Sequence, residues 1–327
     1  MPLAIRVKKQ GGPEVMVLEE VPLPPPGPGE ATLKQTAIGL NFIDVYQRSG
    51  HYPLQCPSGL GQEAAGVVTA VGSGVSTVRI GERVAYASVP VGAYAEARNY
   101  PADRLVPIPQ GVSDEVAAAA LLKGLTAWYL VRRTFHVERG QTVLVHAAAG
   151  GVGLILCQWL RHLGATVIGT VGTESKGRLA QEAGCTHPLV LDEENRRTLP
   201  ARVKELTGGA KVPVVYDSIG RDTFDLSLEC LAPRGLMVLF GAASGPVPPF
   251  ELQRLAAGGS LYITRPSIGT YIGKREDLLT GARELFGLIG GGEIKIHVNQ
   301  RYPLREAARA HADLEARRTT GSTVLLP

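Results

Sequence analysis

Apolar and polar positions alternate with a period of two in the first part of the chain. Short apolar segments lie around Ile5 and at residues 31–36, and turn-forming glycines and prolines separate them. This alternation predicts short antiparallel strands, and residues 81–86 and 92–96 continue it. The first part of the chain is therefore predicted to form a small β-barrel.

Helical spacing appears first after Asn41, whose side chain can cap a short helix that carries Tyr46. A longer helical pattern predicts two further helices, at residues 115–122 and 126–135. Because the period changes here from two to the helical value, a domain boundary is predicted near Gly124.

A strand, a glycine turn and a helix follow one another between residues 142 and 163. The strand consists of β-branched and apolar residues up to Val145, small residues and glycines make the turn, and residues 154–163 present an apolar helical face. Strand and helix patterns then keep alternating, which predicts a doubly wound parallel sheet. The strands are expected at residues 166–169, 189–191, 212–216 and 236–240, and the helices at residues 176–183, 196–206 and 224–231.

The last part of the chain combines both periods. A sixth strand of the parallel sheet is predicted between Ser260 and Thr264, followed by an amphipathic helix at residues 275–289. Strand-like segments at residues 294–298 and 323–326 are predicted to rejoin the first domain.

Composition places the chain among ordinary globular proteins. It has 327 residues, of which 44% are hydrophobic and 20% charged, and its formal charge is +4 without a basic block. No apolar run is long enough to cross a bilayer or resembles a signal peptide, so a cytoplasmic location is expected. The even distribution of charge makes nucleic acid an unlikely main partner. The four cysteines form no C-x-x-C pair and are expected to be reduced.

The glycine turn is the first candidate functional site. Glycines between a strand and a helix allow a ligand to approach the backbone, and the N-terminus of the new helix favours a pyrophosphate. The turn reads Ala-Ala-Ala-Gly-Gly-Val-Gly153 and departs from a plain G-x-G-x-x-G, and tight packing alone could also explain its glycines. The alternating strands and helices that follow favour dinucleotide binding.

Four motifs in this order resemble one family. They are Asn41-x-x-Asp-x-Tyr46-x-x-x-Gly50, His146-Ala-Ala-Ala-Gly-Gly-Val-Gly153, Tyr216-Asp-Ser-Ile-Gly220 and Thr264-Arg-Pro-Ser267. The chain resembles the medium-chain dehydrogenase/reductase superfamily over its full length. Within it, the chain is similar to the zinc-free NADPH:quinone oxidoreductases, which include ζ-crystallin, and above all to their bacterial members.

The resemblance implies an α/β fold of two domains. Residues 1–124 and 265–327 would form a GroES-like β-barrel catalytic domain that binds the substrate. Residues 125–264 would form a Rossmann-type dinucleotide-binding domain with a doubly wound parallel sheet. The family also forms a homodimer by pairing the edge strand that corresponds to residues 260–264, and an uncovered apolar edge strand is an aggregation liability.

Metal ligands are missing where zinc-dependent relatives carry them. Zinc alcohol dehydrogenases of this superfamily have a cysteine at the position of Asn41 and a histidine at the position of Gln62. The segment 88–103, where the structural-zinc cysteines would lie, has no cysteine either. Zinc is therefore not expected.

Quinone reduction is chemistry that needs no metal. Hydride addition to a quinone produces a phenolate-like anion whose conjugate acid has a pKa near that of tyrosine, about 10. Positioning of the reactants, with one or two hydrogen-bond donors, can therefore supply most of the catalysis. The resemblance implies that Asn41, Tyr46 and Thr126 approach the nicotinamide and its ribose in the cleft between the domains, and that Tyr52 borders the quinone pocket.

Alternative interpretations exist for several of these side chains. The tyrosines could be core residues with a solvated hydroxyl. His146 and Asp44 could form a catalytic pair, but His146 ends a buried strand and Asp44 lies near a helix start, so both are interpreted as structural.

The cofactor is expected to be NADPH. NAD-specific sites place an acidic residue after the second strand, whereas this chain has Gly172, Thr173 and Lys176 there, which leave room and charge for a 2′-phosphate. Glu174 is the objection, but it is predicted to lie on a solvated first helical turn. The resemblance adds Arg317 to the phosphate site. The complete predicted cofactor set is Asn41, Tyr46, Thr126, Ala149, Gly150, Gly151, Val152, Gly153, Gly172, Thr173, Lys176, Ser218, Phe240, Gly241 and Arg317.

One position departs from the family. Quinone reductases close to this chain carry a tyrosine that packs on the cofactor where this chain has Leu191, so cofactor affinity or selectivity is expected to be weaker. The resemblance implies an NADPH-dependent quinone reductase. Two alternatives remain: a reductase of the activated double bonds of enones or alkenals, and a crystallin-like or RNA-binding protein that keeps the NADPH site.

Overall fold

The computed structural model describes residues 1–327 and divides them into two compact units. Unit 1 comprises residues 1–125, 272–292 and 296–327, and unit 2 comprises residues 126–271 and 293–295.

Strands β1 to β8, β15 and β16 belong to unit 1, and strands β9 to β14 belong to unit 2. In chain order the strands are β1 (Leu3–Val7), β2 (Met16–Glu20), β3 (Glu30–Leu40), β4 (Ser58–Gly59), β5 (Glu63–Val71), β6 (Arg83–Ala87), β7 (Ala97–Pro101), β8 (Val106–Pro107), β9 (Thr142–Val145), β10 (Thr166–Val171), β11 (His187–Val190), β12 (Val212–Asp217), β13 (Leu231–Leu239), β14 (Tyr262–Thr264), β15 (Val298–Pro303) and β16 (Ser322–Leu326).

The helices complete both units, and α2 runs from one into the other. They are α1 (Phe42–Ser49), α2 (Asp114–Tyr129), α3 (Gly151–Leu163), α4 (Glu174–Glu182), α5 (Leu199–Leu206), α6 (Phe224–Cys230), α7 (Gln253–Ala257), α8 (Ile268–Tyr271), α9 (Arg275–Gly290) and α10 (Ala307–Glu315).

Unit 1 is built on a seven-stranded sheet. Its order is β15-β16-β3-β5-β6-β8, and β7 pairs antiparallel with β3. A smaller sheet, β2-β1-β4, completes the unit. Buried apolar side chains such as Leu33, Ile38 and Tyr100 form its core. Antiparallel pairing predominates, as the two-residue alternation predicted.

Three predicted segments can be compared with the strands of unit 1. Residues 92–96 form no strand beyond a single bridge of Ala95 to Ala4, and the strand starts at Ala97. The strand predicted at residues 294–298 starts only at Val298. Pairing with neighbouring strands decided these bounds, because apolar alternation alone continues beyond the hydrogen-bonded ladder. The last segment does join the sheet through β16 and β3, as predicted.

The two helices predicted on either side of Gly124 are one continuous helix, α2. Glycine usually weakens a helix, so it favoured a break in the sequence pattern. Here its missing side chain serves packing, because a Cβ on Gly124 would lie 2.4 Å from Leu285 Cδ2. The unit boundary, between Leu125 and Thr126, falls inside this helix.

Unit 2 contains the predicted doubly wound parallel sheet. Its strand order is β11-β10-β9-β12-β13-β14, and every pair of neighbouring strands is parallel. The chain winds outward from β9 to β11 in one direction and from β12 to β14 in the other, so the direction switches between β9 and β12. The predicted α/β fold class is confirmed, and β14 lies at an edge of the sheet.

Every helix is too short or too polar to span a lipid bilayer.

Candidate functional site

The glycine turn of unit 2 joins β9 to α3. Gly150 caps the helix in an extended conformation, and α3 starts at Gly151. A Cβ on Gly153 would lie 2.2 Å from the carbonyl oxygen of Ala147, so only glycine fits this close approach. The N–H groups in the first turn of α3 have no intrahelical acceptor and carry the positive end of the helix dipole. The turn therefore offers backbone donors to an anion.

The other predicted cofactor residues of unit 2, apart from Thr126, follow the carboxyl ends of the neighbouring strands. Gly172 and Thr173 follow β10, Ser218 follows β12, and Phe240 and Gly241 follow β13. A Cβ on Gly241 would lie 2.5 Å from the carbonyl oxygen of Ser218, so these two backbones are in close contact. Since β10, β9, β12 and β13 are adjacent, the residues line one edge of the sheet, where ligands bind in open α/β sheets.

The segment after β10 has the features predicted for it. The hydroxyl of Thr173 caps α4 by accepting the N–H of Lys176 at 3.3 Å. Glu174 lies in the first turn of that helix, as predicted. A Cβ on Gly172 would have no neighbour within 4 Å, which leaves open space beside the turn. Leu191, which follows β11, packs against the apolar core of unit 2.

A buried polar cluster lies behind this edge, and we name it the Asp217 cluster. Asp217 accepts the N–H groups of Ile219 at 2.7 Å and Gly220 at 3.0 Å, and the hydroxyls of Thr223 at 2.7 Å and Ser227 at 2.8 Å. These bonds shape the loop that starts with Ser218. The carboxylate is therefore satisfied almost entirely by its own local segment.

His146 belongs to the same cluster and is buried. Its ring nitrogens lie 2.9 Å from Thr170 Oγ1 and 3.0 Å from Ser227 Oγ. Burial lowers the pKa of His146, against the opposite effect of the Asp217 carboxylate, whose Oδ2 lies 4.0 Å from Nε2. A neutral ring held by two hydroxyls fits the structural interpretation of His146.

In unit 1, Asn41 caps α1 as predicted. Asn41 and Asp44 form a capping box, in which the Asp44 carboxylate accepts the backbone N–H of Asn41 at 2.9 Å and the Asn41 side chain faces the N–H of Asp44. This box sets the start of the helix that carries Tyr46.

The Asn41 side chain also belongs to a second buried cluster, which we name the Glu63 cluster. Glu63 is completely buried and accepts Asn41 Nδ2 at 2.8 Å, the backbone N–H of Leu122 at 2.6 Å and Lys123 Nζ at 3.4 Å. All these partners are donors, which is the environment that an ionised carboxylate requires. Gly39 makes the arrangement possible, since a Cβ there would lie 2.3 Å from Glu63 Oε2.

Asp44 connects this site to further buried groups. Its carboxylate accepts the Tyr94 hydroxyl at 2.9 Å, and that hydroxyl lies 3.0 Å from His311 Nε2. Burial raises the pKa of Asp44 to about 7, and burial lowers the pKa of His311 to about 3. In both groups, burial therefore favours the neutral form.

Tyr46 and Tyr52, two predicted site residues, lie together in an aromatic cluster. Their ring centroids are 5.0 Å apart, and Phe42 lies 5.1 Å from Tyr46. His51 completes the cluster at 5.0 Å from Tyr46 and stacks on Tyr52 at 5.3 Å. The four rings therefore pack against one another in a single cluster.

The predicted site residues are divided between the two units. Unit 1 contains Asn41, Tyr46, Tyr52 and Arg317, the last of which follows α10 with a left-handed φ of 57°. Unit 2 contains Thr126, which is buried in α2. It also contains the predicted residues of the glycine turn and those that follow β10, β12 and β13.

Sequence reasoning missed the charged residues at the centre of the two clusters, which are Glu63, Lys123 and Asp217. Glu63 directly follows Gln62, the position at which zinc-dependent relatives carry a histidine, and Asp217 lies within the Tyr216–Gly220 motif, but neither carboxylate was predicted to be a site residue. Lys123 left a detectable signal, because it is a single cation in the otherwise apolar run 117–125 of α2. A charged residue at a buried helical position indicates a buried partner.

No group of three or more histidine, cysteine, aspartate or glutamate side chains is arranged to hold a metal ion. The four cysteines are free thiols.

Comparisons with known proteins agree with this geometry. Residues 151–286 match the family described as zinc-binding dehydrogenase, and residues 27–110 match the alcohol dehydrogenase GroES-like domain. The chain is 53% identical to a quinone oxidoreductase of Pseudomonas aeruginosa over 324 residues, which cover 99% of each protein. It is 46% identical to a 2-haloacrylate reductase of a Burkholderia species over 334 residues, which cover 100% of this chain and 99% of the relative.

Among solved structures, the quinone oxidoreductase of Escherichia coli in complex with NADPH superimposes with a TM-score of 0.96. It shares 50% identity, and the match covers 99% of this chain and 100% of the other.

Proposed function

Because the chain belongs to the quinone oxidoreductases of the medium-chain dehydrogenase/reductase superfamily, we propose that it transfers reducing equivalents from NADPH to quinones. The observation that carries this proposal is the carboxyl edge of the unit 2 sheet. There the glycine turn and the ends of three neighbouring strands meet at the switch in strand order. The relatives supply the identity of the acceptor.

NADPH is the cofactor, and we assign its binding mainly to unit 2. Gly150, Gly151, Val152 and Gly153, with Ala149 before them, would hold the pyrophosphate at the N-terminus of α3. Gly172, Thr173 and Lys176 would receive the 2′-phosphate, and Ser218, Phe240 and Gly241 would border the crevice. Asn41, Tyr46, Thr126 and Arg317 belong to the proposed site through the family resemblance.

When bound, NADPH supplies a hydride from C4 of its nicotinamide. The chain's own task is to orient the acceptor and to exclude water. The Tyr46 and Tyr52 rings would contact the flat face of the quinone, which becomes a hydroquinone anion when it accepts the hydride. A strong acid is not required, since that anion is itself only weakly basic.

We further propose that the reaction needs no zinc. Asn41 and Gln62 stand where zinc-dependent relatives have ligands, and the Asn41 amide is engaged by Glu63. Neither the Asn41 amide nitrogen nor the Lys123 ammonium can ligate zinc, and both engage the Glu63 carboxylate, so the residues present suit a metal-free site.

Two finer assignments complete the proposal. The exposed edge strand β14, with Tyr262 at its start, supports a homodimer formed by strand pairing. Four free thiols fit a reducing compartment such as the cytoplasm. Sedimentation of the purified protein tests the first assignment, and a monomer would contradict it.

The deciding experiment follows NADPH oxidation by the purified protein with 1,4-benzoquinone and 9,10-phenanthrenequinone. Each assay is repeated with NADH and after dialysis against a chelator. Faster turnover with NADPH than with NADH, unchanged by the chelator, is expected. Loss of activity after chelation would contradict the metal-free proposal, and binding of NADPH without turnover would favour a non-enzymatic role.

A second candidate is the reduction of an activated carbon–carbon double bond. The 46% identity to a 2-haloacrylate reductase favours it, because the same hydride geometry serves both acceptors. Including a simple enone and 2-chloroacrylate in the assay separates the two functions. A higher kcat/KM for either of these acceptors than for the quinones would move the assignment to double-bond reduction.

A further inference from the structure

The hydrogen-bonding capacity of the Asn41 amide is largely committed inside unit 1. Its Nδ2 group donates to Glu63 Oε2 at 2.8 Å and lies 3.4 Å from the carbonyl oxygen of Gly39. Its side-chain oxygen faces the N–H of Asp44 in the capping box. An asparagine amide has two donor hydrogens and two acceptor lone pairs. Both donors are therefore used, whereas the Asp44 N–H donates to the backbone oxygen of Asn41 at 3.0 Å, so the Asn41 side-chain oxygen keeps acceptor capacity for a ligand.

Glu63 determines this orientation. If the amide were rotated by 180°, the Asn41 oxygen would face the Glu63 carboxylate, which can only accept. The start of α1 would also lose an oxygen and gain an N–H donor at the same place, where the helix dipole is positive. Two independent partners thus select the same rotamer.

Glu63 is itself held on both oxygens. The N–H of Leu122 occupies Oε1 at 2.6 Å, and Lys123 Nζ lies 3.4 Å from Oε2. The Lys123 side chain is only 7% exposed and the Glu63 side chain is completely buried. Water therefore cannot take the place of either partner in this ion pair unless the surrounding structure rearranges.

We propose that Glu63, held by Lys123 and the α2 backbone, is a positioning residue that makes Asn41 a hydrogen-bond acceptor toward its ligand. Asn41 then receives a hydrogen bond from a hydroxyl or amide N–H of the bound cofactor. It does not act as a donor to the oxygen anion of the reduced quinone. This inference rests on the proposed function for the identity of the ligand, but the orientation itself is a property of unit 1.

Two substitutions test the proposal, one that changes the Glu63 carboxylate to an amide and one that changes the Asn41 amide to a carboxylate. In Glu63→Gln, the oxygen of the new glutamine keeps the Leu122 N–H, and its amide nitrogen faces Asn41, so the Asn41 amide must rotate. In Asn41→Asp, two carboxylates meet at about the distance of the present hydrogen bond. We expect either change to weaken NADPH binding by about tenfold or more, measured by fluorescence titration.

The double variant Asn41→Asp with Glu63→Gln should restore binding to within about threefold of the wild type. There the introduced glutamine donates to the introduced aspartate, the total charge beside Lys123 is unchanged, and an acceptor again faces the ligand. Glu96→Gln serves as the matched control, because Glu96 is a unit 1 carboxylate whose partner is the N–H of Leu3 at 2.8 Å. It should bind NADPH as the wild type does. Wild-type affinity in Glu63→Gln, or additive losses in the double variant, would overturn the proposal.

A measurement without cofactor keeps the proposal testable if a variant does not fold or if NADPH is not the ligand. The chain contains four asparagines, so 15N-asparagine labelling gives four side-chain NH2 signals, which Asn→Asp variants assign. We expect the Asn41 NH2 protons to exchange at least about tenfold more slowly than those of Asn299, which is exposed to solvent although its Nδ2 donates to Thr320 Oγ1 at 2.9 Å. Equal exchange rates would show that Glu63 does not hold the amide. Wild-type turnover with quinones tests the proposed function separately.

Discussion

The Glu63 cluster of unit 1 and the Asp217 cluster of unit 2 stabilise a buried carboxylate in different ways. Each holds a completely buried carboxylate. Asp217 takes its four donors from residues 219–227, within ten positions of itself. Glu63 takes its donors from Asn41, Leu122 and Lys123, which are 22, 59 and 60 positions away.

The neighbouring bases also differ. His146 beside Asp217 is favoured in its neutral form, because burial lowers its pKa. Lys123 instead forms an ion pair with Glu63, with 3.4 Å between Nζ and Oε2. A carboxylate that a local loop satisfies with four hydrogen bonds needs no cation, whereas one supported by distant segments depends on a charge to offset its loss of hydration. The Glu63 cluster should therefore be the more sensitive of the two.

The largest expected effect follows from removing that cation. Lys123→Met keeps the approximate length of the side chain but leaves the Glu63 carboxylate without a counter-charge. The free energy of unfolding should therefore fall by about 3–5 kcal/mol. Urea unfolding measures it. Adding Glu63→Gln should recover part of the loss, because no buried charge then remains uncompensated. If Lys123→Met lowered the free energy of unfolding by less than about 1 kcal/mol, the Glu63 cluster would not depend on its cation, and the two clusters would not differ in this respect.

The next effect depends on pH and concerns Asp44, which is bonded to the backbone of Asn41. Its pKa of about 7 in the folded protein exceeds the ordinary value of 3.8, so the folded state binds an extra proton between these values. The stabilising contribution of this proton is complete at low pH and is lost as the pH rises toward 7. Asp44→Asn cannot titrate, and its stability relative to the wild type should rise by about 3–4 kcal/mol from about pH 4 to about pH 7.5.

Urea midpoints of both proteins across this pH range provide the measurement. His311, whose pKa burial lowers to about 3, makes a contribution of its own, but it is present in both proteins and cancels in the difference. A difference that stays constant across the whole range would rule out a protonated Asp44.

Packing around the Glu63 cluster should give a smaller effect. In Gly39→Ala the new methyl group would meet the carbonyl oxygen of Ala118 at 2.1 Å as well as the Glu63 carboxylate, and we expect a loss of about 2–3 kcal/mol. Gly287→Ala is the control, because a Cβ there has no neighbour within 4 Å and lies in helix α9. It should be neutral or stabilising by up to about 1 kcal/mol. Equal melting temperatures of the two variants would contradict the tight packing around Gly39.

The smallest effect is expected in the Asp217 cluster. Ser227→Ala removes one of the four donors to Asp217 and a partner of His146, at a cost of about 1–2 kcal/mol. Three donors remain, and no charge loses a counter-charge. A loss as large as that of Lys123→Met, again measured by urea unfolding, would show that the local cluster is not the more tolerant one.

Local signals made most of the fold predictable. The helix cap at Asn41 and the strand-to-helix connection at the glycine turn were predictable, because each structure depends on residues only a few positions apart. Errors occurred where packing overrode such signals. Gly124 favoured a helix break, yet the glycine accommodates Leu285 within a continuous helix.

The family motifs directed attention to Asn41 and Tyr46, but not to their support. Nothing near Asn41 in the chain shows that Glu63 and Lys123 hold its amide, since these residues meet only when β3, β5 and α2 pack together. The aromatic contact of His51 with Tyr46 likewise comes from the loop after α1.

The sequence by itself determined the parallel sheet, the glycine turn and the capped helix, because hydrophobic period, glycine placement and caps act over one or two turns of chain. Only the tertiary structure decided which way the Asn41 amide faces and which charges surround it. Those depend on burial and on donors from distant segments, and a buried carboxylate gains its partners only when the whole unit has folded.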